Sequence, residues 1–391
     1  MAIYYDAAAA VHGRAGLGRY AESLARALLA EHGDDITFFY NADATIRPLA
    51  GLEMVPQRTV LAGYKRWRMQ VWLGQLLGLR FNRLLPQATL YHATEHLLMP
   101  LPGIPTVLTI HDLIYRLFPR YHKLPNYVYL NLAVPLFCRR ATAIIAVSQA
   151  TRRDLVRYYR IDPARITVIY EAAAPGFRPQ DPATVSAVRA RYHLPQRYLL
   201  TACVIEPRKN HSRFLRAFEG LCRDEPDLYW VIVGAKGWLY ESFFQHLERS
   251  PARERVILPG YVQDSDLAAV CTGALAFVFP SLYEGFGLPP LEAMACGTPV
   301  ISSDASSLPE VGGKAAQYFD PYDEAHMLDV THNVLTDPDL RVEMRQLGLL
   351  QAAGFSWQRA AKETWALYQK LMPPGREPPS TGPLPAYREI I

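Results

Sequence analysis

Short runs of β-branched and aromatic residues alternate along the chain with segments whose apolar positions repeat at the helical spacing. This alternation is typical of a parallel sheet covered by helices on both faces. The strands predicted in the first half are Ile3–Asp6, Ile36–Asn41, Thr89–His92, Thr106–His111, Ala143–Val147 and Ile166–Tyr170. Those predicted in the second half are Tyr198–Ile205, Tyr229–Gly234, Val256–Leu258, Leu275–Pro280, Val300–Ser302 and Ala316–Phe319. The pattern therefore predicts an α/β protein with two doubly wound, Rossmann-like domains in series.

The stretch between the two sets of strands is irregular, with several prolines around one short helical segment at residues 171–197. We therefore predict an N-terminal domain over residues 1–180 and a C-terminal domain over residues 181–355. A helix over about 356–372, with Ser356 as its N-cap, is expected to pack back on the first domain. Residues 373–391 are rich in Pro and Gly, which predicts a flexible tail.

Composition narrows the class of protein. Half of the 391 residues are hydrophobic and 20% are charged, which supports sizeable cores and argues against disorder. The sequence predicts neither a spanning helix nor a signal peptide. Five cysteines without a C-x-x-C pair indicate reduced, buried thiols, so we expect a cytoplasmic protein.

Charge is distributed unevenly. The net charge of +4 is too small to indicate nucleic acid, but residues 1–180 hold 21 Lys/Arg against 12 Asp/Glu, whereas residues 181–391 hold 20 against 25. The segment Met54–Thr94 has no acidic residue and interleaves cations with Trp, Met, Val and Leu. It would make an amphipathic helix drawn to anionic lipid, and the alternative is a surface helix whose apolar stripe packs on its own domain.

Ligands of open parallel sheets bind beyond the carboxyl ends of the strands, so each strand end is a candidate site. The first strand is followed by His12–Tyr20, where Gly16 and Gly18 would let the backbone approach a phosphate at the start of a helix over Ala21–Leu29. The string matches neither G-x-G-x-x-G nor a Walker loop, so a plain tight turn is the alternative.

Two more strand ends carry charged or titratable side chains. His111 ends a buried strand beside Asp112, where it would touch a ligand or serve as a hydrogen-bonded structural residue. Arg208 and Lys209 stand between a buried strand and a predicted helix. Adjacent cations in that place suit a diphosphate, and a solvated charge pair is the alternative.

The strongest signal is the string Phe279–Gly297. A buried strand ends there, two glycines allow a tight loop, and a proline falls where the first turn of a helix tolerates it. Glu284 is predicted in the loop and Glu292 in the first turn of the helix, both facing one cleft. Free N–H groups near Gly287 and Leu288 can bind phosphate oxygens, and a carboxylate can accept hydrogen bonds from both hydroxyls of a sugar ring.

At this string the chain resembles the retaining GT-B glycosyltransferases of the group-1 family (glycosyltransferase family 4), whose E-x7-E motif matches Glu284 and Glu292. The resemblance covers nearly the whole chain and is carried by Gly16-Leu17-Gly18-Arg19-Tyr20, His111-Asp112-Leu113, Glu206-Pro207-Arg208-Lys209-Asn210, Gly260-Tyr261-Val262, the E-x7-E string and Ser307-Leu308-Pro309-Glu310-Val311-Gly312. It implies the GT-B fold, in which an acceptor-binding N-terminal domain and a donor-binding C-terminal domain face each other across a cleft. Members most similar in these strings transfer mannose or similar hexoses during bacterial glycan assembly.

The resemblance also implies roles for particular residues. The catalytic residues would be His111, Glu284, Arg208 and Lys209, and the donor-binding residues would be Gly16, Gly18, Arg208, Lys209, Tyr261, Val262, Glu284, Phe286, Gly287, Leu288 and Glu292. Arg208 and Lys209 would neutralise the donor diphosphate, and Glu292 would hold the ribose hydroxyls. The hexose would lie by Glu284 and His111, and the backbone at Tyr261-Val262 would meet the nucleobase.

The chemistry implied is transfer of a hexose from a nucleotide sugar with retention of configuration, without a metal or another cofactor. GDP-mannose is favoured over a UDP-hexose as donor, and the acceptor would be a glycan or a lipid-linked sugar. The enzyme would be cytoplasmic, with peripheral contact to the inner face of the membrane through its basic first domain left open, and without a nucleic-acid partner.

Departures and rival readings are also present. An Asn-Gly pair commonly follows the last strand of the first domain in this family, whereas Tyr170-Glu171-Ala172-Ala173 stands here, which leaves the hinge geometry open. His92 and His96 fit the zinc-hydrolase string H-x-x-E-H, but no long helix is predicted there. Asp264-Ser265-Asp266 resembles a D-x-D metal site, although helix capping is favoured. A sugar-nucleotide-binding protein without turnover is the remaining alternative.

Overall fold

A computed structural model of the chain describes residues 2–372, in which two parallel sheets are covered by helices. The strands of the first sheet are β1 (Ile3–Asp6), β2 (Ile36–Ala42), β3 (Gln57–Leu61), β4 (Leu90–Ala93), β5 (Thr106–Ile110), β6 (Ala143–Ala146) and β7 (Ile166–Val168). Those of the second sheet are β8 (Tyr198–Ala202), β9 (Tyr229–Val233), β10 (Val256–Ile257), β11 (Ala276–Phe279), β12 (Val300–Ser303) and β13 (Ala316–Phe319). The tail predicted over 373–391 lies outside the described residues.

Helices connect the strands and extend beyond the last of them. Around the first sheet they are α1 (Ala8–Val11), α2 (Ala15–His32), α3 (Tyr64–Leu77), α4 (Ile114–Leu117), α5 (Leu124–Arg140) and α6 (Gln149–Tyr159). The linker and second domain contain α7 (Pro182–Arg191), α8 (His211–Asp224), α9 (Glu241–Arg249), α10 (Asp264–Thr272), α11 (Leu288–Ala295), α12 (Leu308–Gly312), α13 (Glu324–Thr336) and α14 (Pro338–Ala353), and α15 (Trp357–Leu371) follows them.

Both sheets are doubly wound. The strand order is β3-β2-β1-β4-β5-β6-β7 in the first sheet and β10-β9-β8-β11-β12-β13 in the second, and all pairs are parallel. The order reverses between β1 and β4 and again between β8 and β11. A crevice opens beyond the carboxyl ends of the strands at each reversal, which is where open α/β sheets bind ligands.

The predicted fold class is confirmed, and each of the twelve predicted strands forms. The one strand that sequence reasoning missed is β3, which pairs with β2 at the edge of the first sheet. Its residues alternate between exposed and half-buried. An edge strand of this kind does not need the continuous apolar run that identifies a central parallel strand.

Helix α15 follows the second domain in sequence but packs on the first, against α2. The side chain of Ser356 caps the helix by accepting the N–H of Arg359 at 3.1 Å. The hydroxyl of Tyr368 lies 2.5 Å from Nδ1 of the buried His92, and Trp365 stacks on His32 with ring centres 3.6 Å apart. The last helix thereby fastens the chain after the second domain to the core of the first.

The two domains contact each other along the cleft. The hydroxyl of Ser148 donates to the carbonyl of Gly285 at 2.5 Å, and the hydroxyl of Thr151 donates to the carbonyl of His111 at 2.9 Å and lies 3.2 Å from that of Gly285. The carboxylate of Glu310 accepts the N–H groups of Gln149 and Ala150 at the start of α6, at 2.7 and 3.3 Å. An acid from one domain therefore satisfies the positive end of a helix in the other.

Two further features bear on the expectations from composition. No helix among residues 2–372 combines the length and the apolar character that crossing a bilayer requires. The five cysteines all lie in this range as free thiols, and Cys203 and Cys222 are half-buried, whereas burial was expected for all five.

Candidate active site

The cations of the candidate donor site follow β8, and the first glutamate follows the neighbouring strand β11. Pro207–Lys209 form a single 3-10 turn, and Asn210 adopts a left-handed conformation with φ of 62°. The amide of Asn210 donates to the carbonyls of Pro280 and Pro321 at 3.0 and 2.8 Å. This residue therefore fastens the Arg-Lys turn to the end of β11.

A compact ion cluster lies at this point. One carboxylate oxygen of Glu284 accepts hydrogen bonds from Arg208 Nη1 at 2.7 Å, from Lys209 Nζ at 2.7 Å and from Ser281 Oγ at 2.5 Å. Arg208 also donates through Nη2 to Glu206 at 2.6 Å. Burial would raise the pKa of Glu284, but the charges of Arg208 and Lys209 outweigh it and hold the pKa below its ordinary value.

The cluster is neutral as a whole, because the carboxylates of Glu206 and Glu284 balance the two cations. All four side chains are at most 13% exposed. Buried charges of this kind are costly unless they are paired. An anion that binds to Arg208 and Lys209 therefore has to replace the carboxylates that pair with them.

Glu292 is the fifth residue of α11, one turn later than predicted, and is only 4% exposed. Its carboxylate accepts a hydrogen bond from Arg19 Nη1 of the N-terminal domain at 2.7 Å. Burial raises the pKa of Glu292 to about 7, although the charge of Arg19 acts in the opposite direction. The second glutamate of the motif is therefore held across the cleft by a residue of the other domain.

Two helix starts point toward the same cleft. Helix α11 begins at Leu288, directly after Gly287, whose φ of 124° only glycine adopts readily. Helix α2 begins at Ala15, six residues before the predicted start, so Gly16 and Gly18 lie within its first turns and not in a loop. The first-turn N–H groups of α2 lack partners within their own helix. In the first turn of α11 the free N–H group is that of Leu288, because Pro289 and Pro290 have none and Leu291 donates to the carbonyl of Gly287 at 3.3 Å.

The two glycines of α2 differ in their surroundings. A Cβ on Gly18 would lie 2.8 Å from the carbonyl oxygen of Ala9, so Gly18 permits close packing against α1. A Cβ on Gly16 would have no neighbour within 4 Å, which leaves open space beside the helix start. Of the two donor-binding glycines predicted in this helix, Gly18 is thus explained by packing alone.

His111 lies at the end of β5, where its ring is enclosed. Its Nδ1 lies 3.1 Å from a carboxylate oxygen of Glu171, and its Nε2 lies 3.0 Å from the carbonyl oxygen of Thr94. Burial alone would lower the pKa of His111, but the hydrogen bond and the charge of Glu171 raise it above its ordinary value. The Tyr20 ring meets the imidazole edge to face, with centres 4.7 Å apart.

His111 also lies against the loop that follows β11 in the second domain. A Cβ built on Gly285 would come within 2.0 Å of the His111 carbonyl oxygen. Only glycine fits at this position of the motif, because any side chain would force the two domains apart. His111 and Glu284, which belong to opposite walls, are in this way brought to the same end of the cleft.

The remaining predicted residues contribute differently. Tyr261 is 80% exposed, whereas Val262 and Phe286 are buried. The Phe286 ring packs on Tyr170, and its carbonyl accepts the hydroxyl of Ser307 at 2.5 Å. Val262 and Phe286 thus build the core with their side chains and can meet a donor only through their backbone.

Sequence reasoning did not single out Arg19, Glu171, Ser281 or Gly285 as site residues, and all four touch a predicted one. Arg19 and Gly285 stand inside strings that carry the family resemblance, and Glu171 stands at a departure from the family pattern. Ser281 lies three residues before its partner Glu284, within the string that carries the strongest signal. For Arg19, Glu171 and Gly285 the position in or beside a family string was the available signal, since their partners are far away in the sequence.

The surroundings of His92 argue against a zinc site at this residue. Its Nδ1 faces the Tyr368 hydroxyl and its Nε2 faces the Thr109 hydroxyl at 2.8 Å, so neither nitrogen is free to bind a metal. Burial lowers the pKa of His92 to about 3, which keeps the ring neutral. Across residues 2–372, no group of three or more His, Cys, Asp or Glu side chains is arranged to hold a metal ion.

The expected cap at Asp264-Ser265-Asp266 is wrong. Helix α10 begins at Asp264, Gln263 occupies the N-cap position, and no side chain caps it. The carboxylate of Asp266 instead accepts hydrogen bonds from Arg191 at 2.7 Å and from the hydroxyl of Tyr192 at 2.8 Å. A charged partner on α7 gives this aspartate a stronger bond than a cap would.

Comparisons with known proteins agree with this architecture. Residues 14–173 match the profile described as Glycosyltransferase Family 4, and residues 190–349 match that of Glycosyl transferases group 1. O-antigen chain mannosyltransferase B of Escherichia coli is 35% identical over 271 residues, which are 68% of this chain and 70% of that protein. Serotype-specific mannosyltransferase WbdA of Escherichia coli is 33% identical over 294 residues, 71% of this chain but only 35% of WbdA.

Solved structures show the same fold. Anabaena HepE in complex with UDP and glucose superimposes with a TM-score of 0.74 at 19% identity, covering 95% of this chain and 100% of that one. Sucrose-phosphate synthase from Thermosynechococcus elongatus gives a TM-score of 0.76 at 18% identity, covering 95% and 99% of the two chains. The class defined by two facing Rossmann-like domains is that of the GT-B glycosyltransferases. Within it, the chain belongs to the group-1 glycosyltransferases of family 4.

The raised pKa of Glu292 predicts a pH-dependent effect on stability. Between pH about 4.5 and 7 the folded chain keeps a proton on this carboxyl that the unfolded chain has released, so stability falls as pH rises through that window. We expect Glu292→Gln to match wild type near pH 4.5 and to exceed it at pH 8 by on the order of 1–3 kcal/mol in urea unfolding. The exposed Glu31→Gln is the control, and a pH-independent difference for Glu292→Gln would contradict the assignment.

Proposed function

We propose that this glycosyltransferase moves a mannosyl residue from GDP-mannose, in preference to a UDP-hexose, onto a hydroxyl of a bacterial glycan or lipid-linked sugar. The mannosyl assignment is supported by the names of its relatives, O-antigen chain mannosyltransferase B and WbdA. The observation that carries the proposal is the ion cluster of Arg208, Lys209 and Glu284 at the strand-order reversal of the second domain.

The donor diphosphate would bind at this cluster. A diphosphate carries more charge than one carboxylate and can accept hydrogen bonds from Arg208 and Lys209 at several oxygens. When it takes over these cations, Glu284 is released to accept hydroxyl groups of the hexose. The N–H group of Leu288 at the start of α11 and those near Gly16 in α2 would add donors for the phosphate oxygens.

The nucleoside would bind farther along the same groove. Glu292 would accept both ribose hydroxyls once Arg19 moves off its carboxylate, and Arg19 would remain close enough to face the phosphates. The backbone of Tyr261 and Val262 would meet the base, with the exposed Tyr261 ring able to cover it. Hexose and reacting centre would then lie between Glu284 and His111.

The reaction proposed is a front-face substitution. The bond between the anomeric carbon and the diphosphate oxygen breaks as the acceptor hydroxyl oxygen bonds to the same face of that carbon. The hydroxyl proton passes to a phosphate oxygen of the leaving group, so configuration is retained and no side chain has to form a covalent intermediate. The cations and helix starts stabilise the negative charge that develops on the diphosphate, and no metal ion is invoked.

The double substitution Arg208→Ala/Lys209→Ala tests the cluster. Because both charges that stabilise the leaving group are lost, we expect turnover at saturating donor to fall on the order of 10²-fold or more. Release of nucleoside diphosphate from GDP-mannose and incorporation of mannose into acceptor would be measured together. The matched control is Arg253→Ala, an arginine of the same domain whose side chain pairs with Glu248 at the surface.

Wild-type turnover in the double variant would refute the role of the cluster. Absence of both hydrolysis and transfer in the wild-type protein, with donor still bound, would instead favour the alternative of a sugar-nucleotide-binding protein without turnover.

The acceptor side has a surface that suits a lipid-linked substrate. Helices α3 and α5 lie side by side, with the Arg68 guanidinium 3.8 Å from the centre of the Tyr129 ring. Large apolar side chains are exposed on both helices: Met69, Leu73, Leu76 and Leu77 on α3, and Leu124, Val128 and Leu132 on α5. The alternative was that the apolar stripe of α3 packs on its own domain. Trp67 and Val71 do so and are buried, whereas the exposed apolar side chains of α3 do not.

Exposed cations flank this apolar surface, with Lys65 and Arg66 before it on α3 and Arg80 after it. Apolar side chains bordered by cations are suited to the boundary of an anionic bilayer. We therefore propose peripheral binding of the first domain to the cytoplasmic face of a membrane that carries the acceptor.

Vesicle sedimentation tests this surface. We expect the protein to bind vesicles containing phosphatidylglycerol more than phosphatidylcholine vesicles, and we expect Leu77→Glu to weaken binding because it places a charge in the apolar contact. Leu350→Glu on α14 is the matched control, since Leu77 is 70% exposed and Leu350 is 72% exposed. Equal binding of all three proteins would contradict the proposal.

A further inference from the structure

The two ring nitrogens of His111 both face oxygen atoms that accept hydrogen bonds. Nε2 lies 3.0 Å from the carbonyl oxygen of Thr94, and a carbonyl can only accept, so Nε2 carries a proton. Nδ1 lies 3.1 Å from a carboxylate oxygen of Glu171. A neutral imidazole has one N–H group and cannot donate to both. A second proton is needed if both contacts are to be hydrogen bonds, and it resides either on the imidazole ring or on the carboxyl of Glu171.

The position of Glu171 favours the ring. Glu171 is 4% exposed, and His111 is the one hydrogen-bond or ion-pair partner recorded for its side chain among residues 2–372. A carboxylate buried without a cation is costly, and the imidazolium is the cation within reach. With the proton on the ring, both N–H groups donate to well-placed acceptors and the carboxylate charge is compensated.

We infer that Glu171 is a positioning residue that fixes the ring of His111 and holds it as an imidazolium at the reacting side of the cleft. This inference rests on the proposed function, because it deepens the role given there to His111. It excludes His111 as a general base toward the acceptor hydroxyl, since neither nitrogen has a free lone pair. His111 acts instead through its positive charge beside the hexose and the leaving phosphate, while both of its N–H groups stay bonded to Glu171 and Thr94.

The groups around the ring are consistent with a charged histidine. On its own loop Asp112 adds negative charge, and Glu171 comes from the segment after β7. Tyr20 on α2 is uncharged at neutral pH because burial raises its pKa, and the buried His92 on β4 is neutral and adds no competing charge. On the donor-domain side, the Gly285 backbone lies against the carbonyl of His111 and carries no charge.

The pairing also places a charge where the two domains join. Glu171 follows Tyr170, whose hydroxyl donates to Glu310 of the second domain at 2.7 Å. The negative charge of Glu171 also contributes to the raised pKa of the buried Glu292. Neutralising Glu171 with His111 therefore limits the repulsion that the donor's phosphates would meet on entering the cleft.

The test compares Glu171→Gln with Glu171→Asp. Gln keeps the size and one acceptor oxygen but removes the charge, whereas Asp keeps the charge. In Glu171→Gln the pKa of His111 should fall, so activity should be lost at lower pH than in wild type as the imidazolium deprotonates. We expect kcat at pH 8 to fall roughly 10–100-fold with little change in donor KM, and Glu171→Asp to recover most of it.

A readout independent of turnover is the ¹⁵N NMR spectrum of histidine-labelled protein, with the His111 signals assigned by loss in His111→Asn. In the wild-type protein at pH 7 we expect both His111 nitrogens to show the shifts of protonated nitrogens, and in Glu171→Gln we expect one to show the shift of an unprotonated nitrogen.

A neutral Nε2–H ring in the wild-type protein, or an unchanged spectrum in Glu171→Gln, would overturn the inference. An unchanged pH profile of a folded Glu171→Gln would do the same. If the variants do not fold, the wild-type spectrum alone decides. If the protein transfers no mannose, the proposed function fails while the spectra still report the state of His111.

Discussion

The site depends on the pairing of Glu284 with Arg208 and Lys209. Two cations that can hold a diphosphate must be kept in place, and kept neutralised, while the cleft is empty. The fold achieves this because β8 and β11 are adjacent parallel strands, so the residues that follow them meet at one edge of the sheet. Asn210 then fixes the turn through two carbonyls. A buried ion cluster gives little net stability, so its presence is better explained by what it binds than by what it stabilises.

The second feature is that the cleft is built by both domains. Arg19 and Glu292 are 273 positions apart in sequence and lie 2.7 Å apart in space. Gly285 admits the backbone of His111, and Glu310 satisfies the start of α6. Helix α15 returns the chain to the first domain. Because these contacts cross the cleft, a donor bound at one wall as proposed would change the partners of residues on the other.

The fold could be predicted largely from local pattern. Central parallel strands are buried on both faces, so each forms a continuous apolar run. Strand β3 was not predicted because it lies at an edge and has no such run. The start of α2 was placed too late because Gly16 and Gly18 were expected to form a loop, whereas Gly18 serves close packing inside the helix. The E-x7-E string predicted a donor site at this wall of the cleft because glycines, prolines and carboxylates there follow one another at fixed spacing.

The sequence did not reveal which side chains contact the predicted site residues. Arg19 and Glu171 each act on a residue far away in the chain, and no spacing or periodicity links such pairs. Glu171 stands out in the sequence only as a departure from the family pattern, and its significance appears when the side chain is found against His111. The state of charge of a histidine likewise depends on its three-dimensional neighbours and not on its position after a strand.

The most direct test is a crystal structure of the protein soaked with GDP. The account predicts a diphosphate within hydrogen-bond distance of Arg208 and Lys209, ribose hydroxyls on Glu292, and Arg19 withdrawn from that carboxylate. A nucleotide bound elsewhere, with the pairing of Arg208, Lys209 and Glu284 undisturbed, would contradict it.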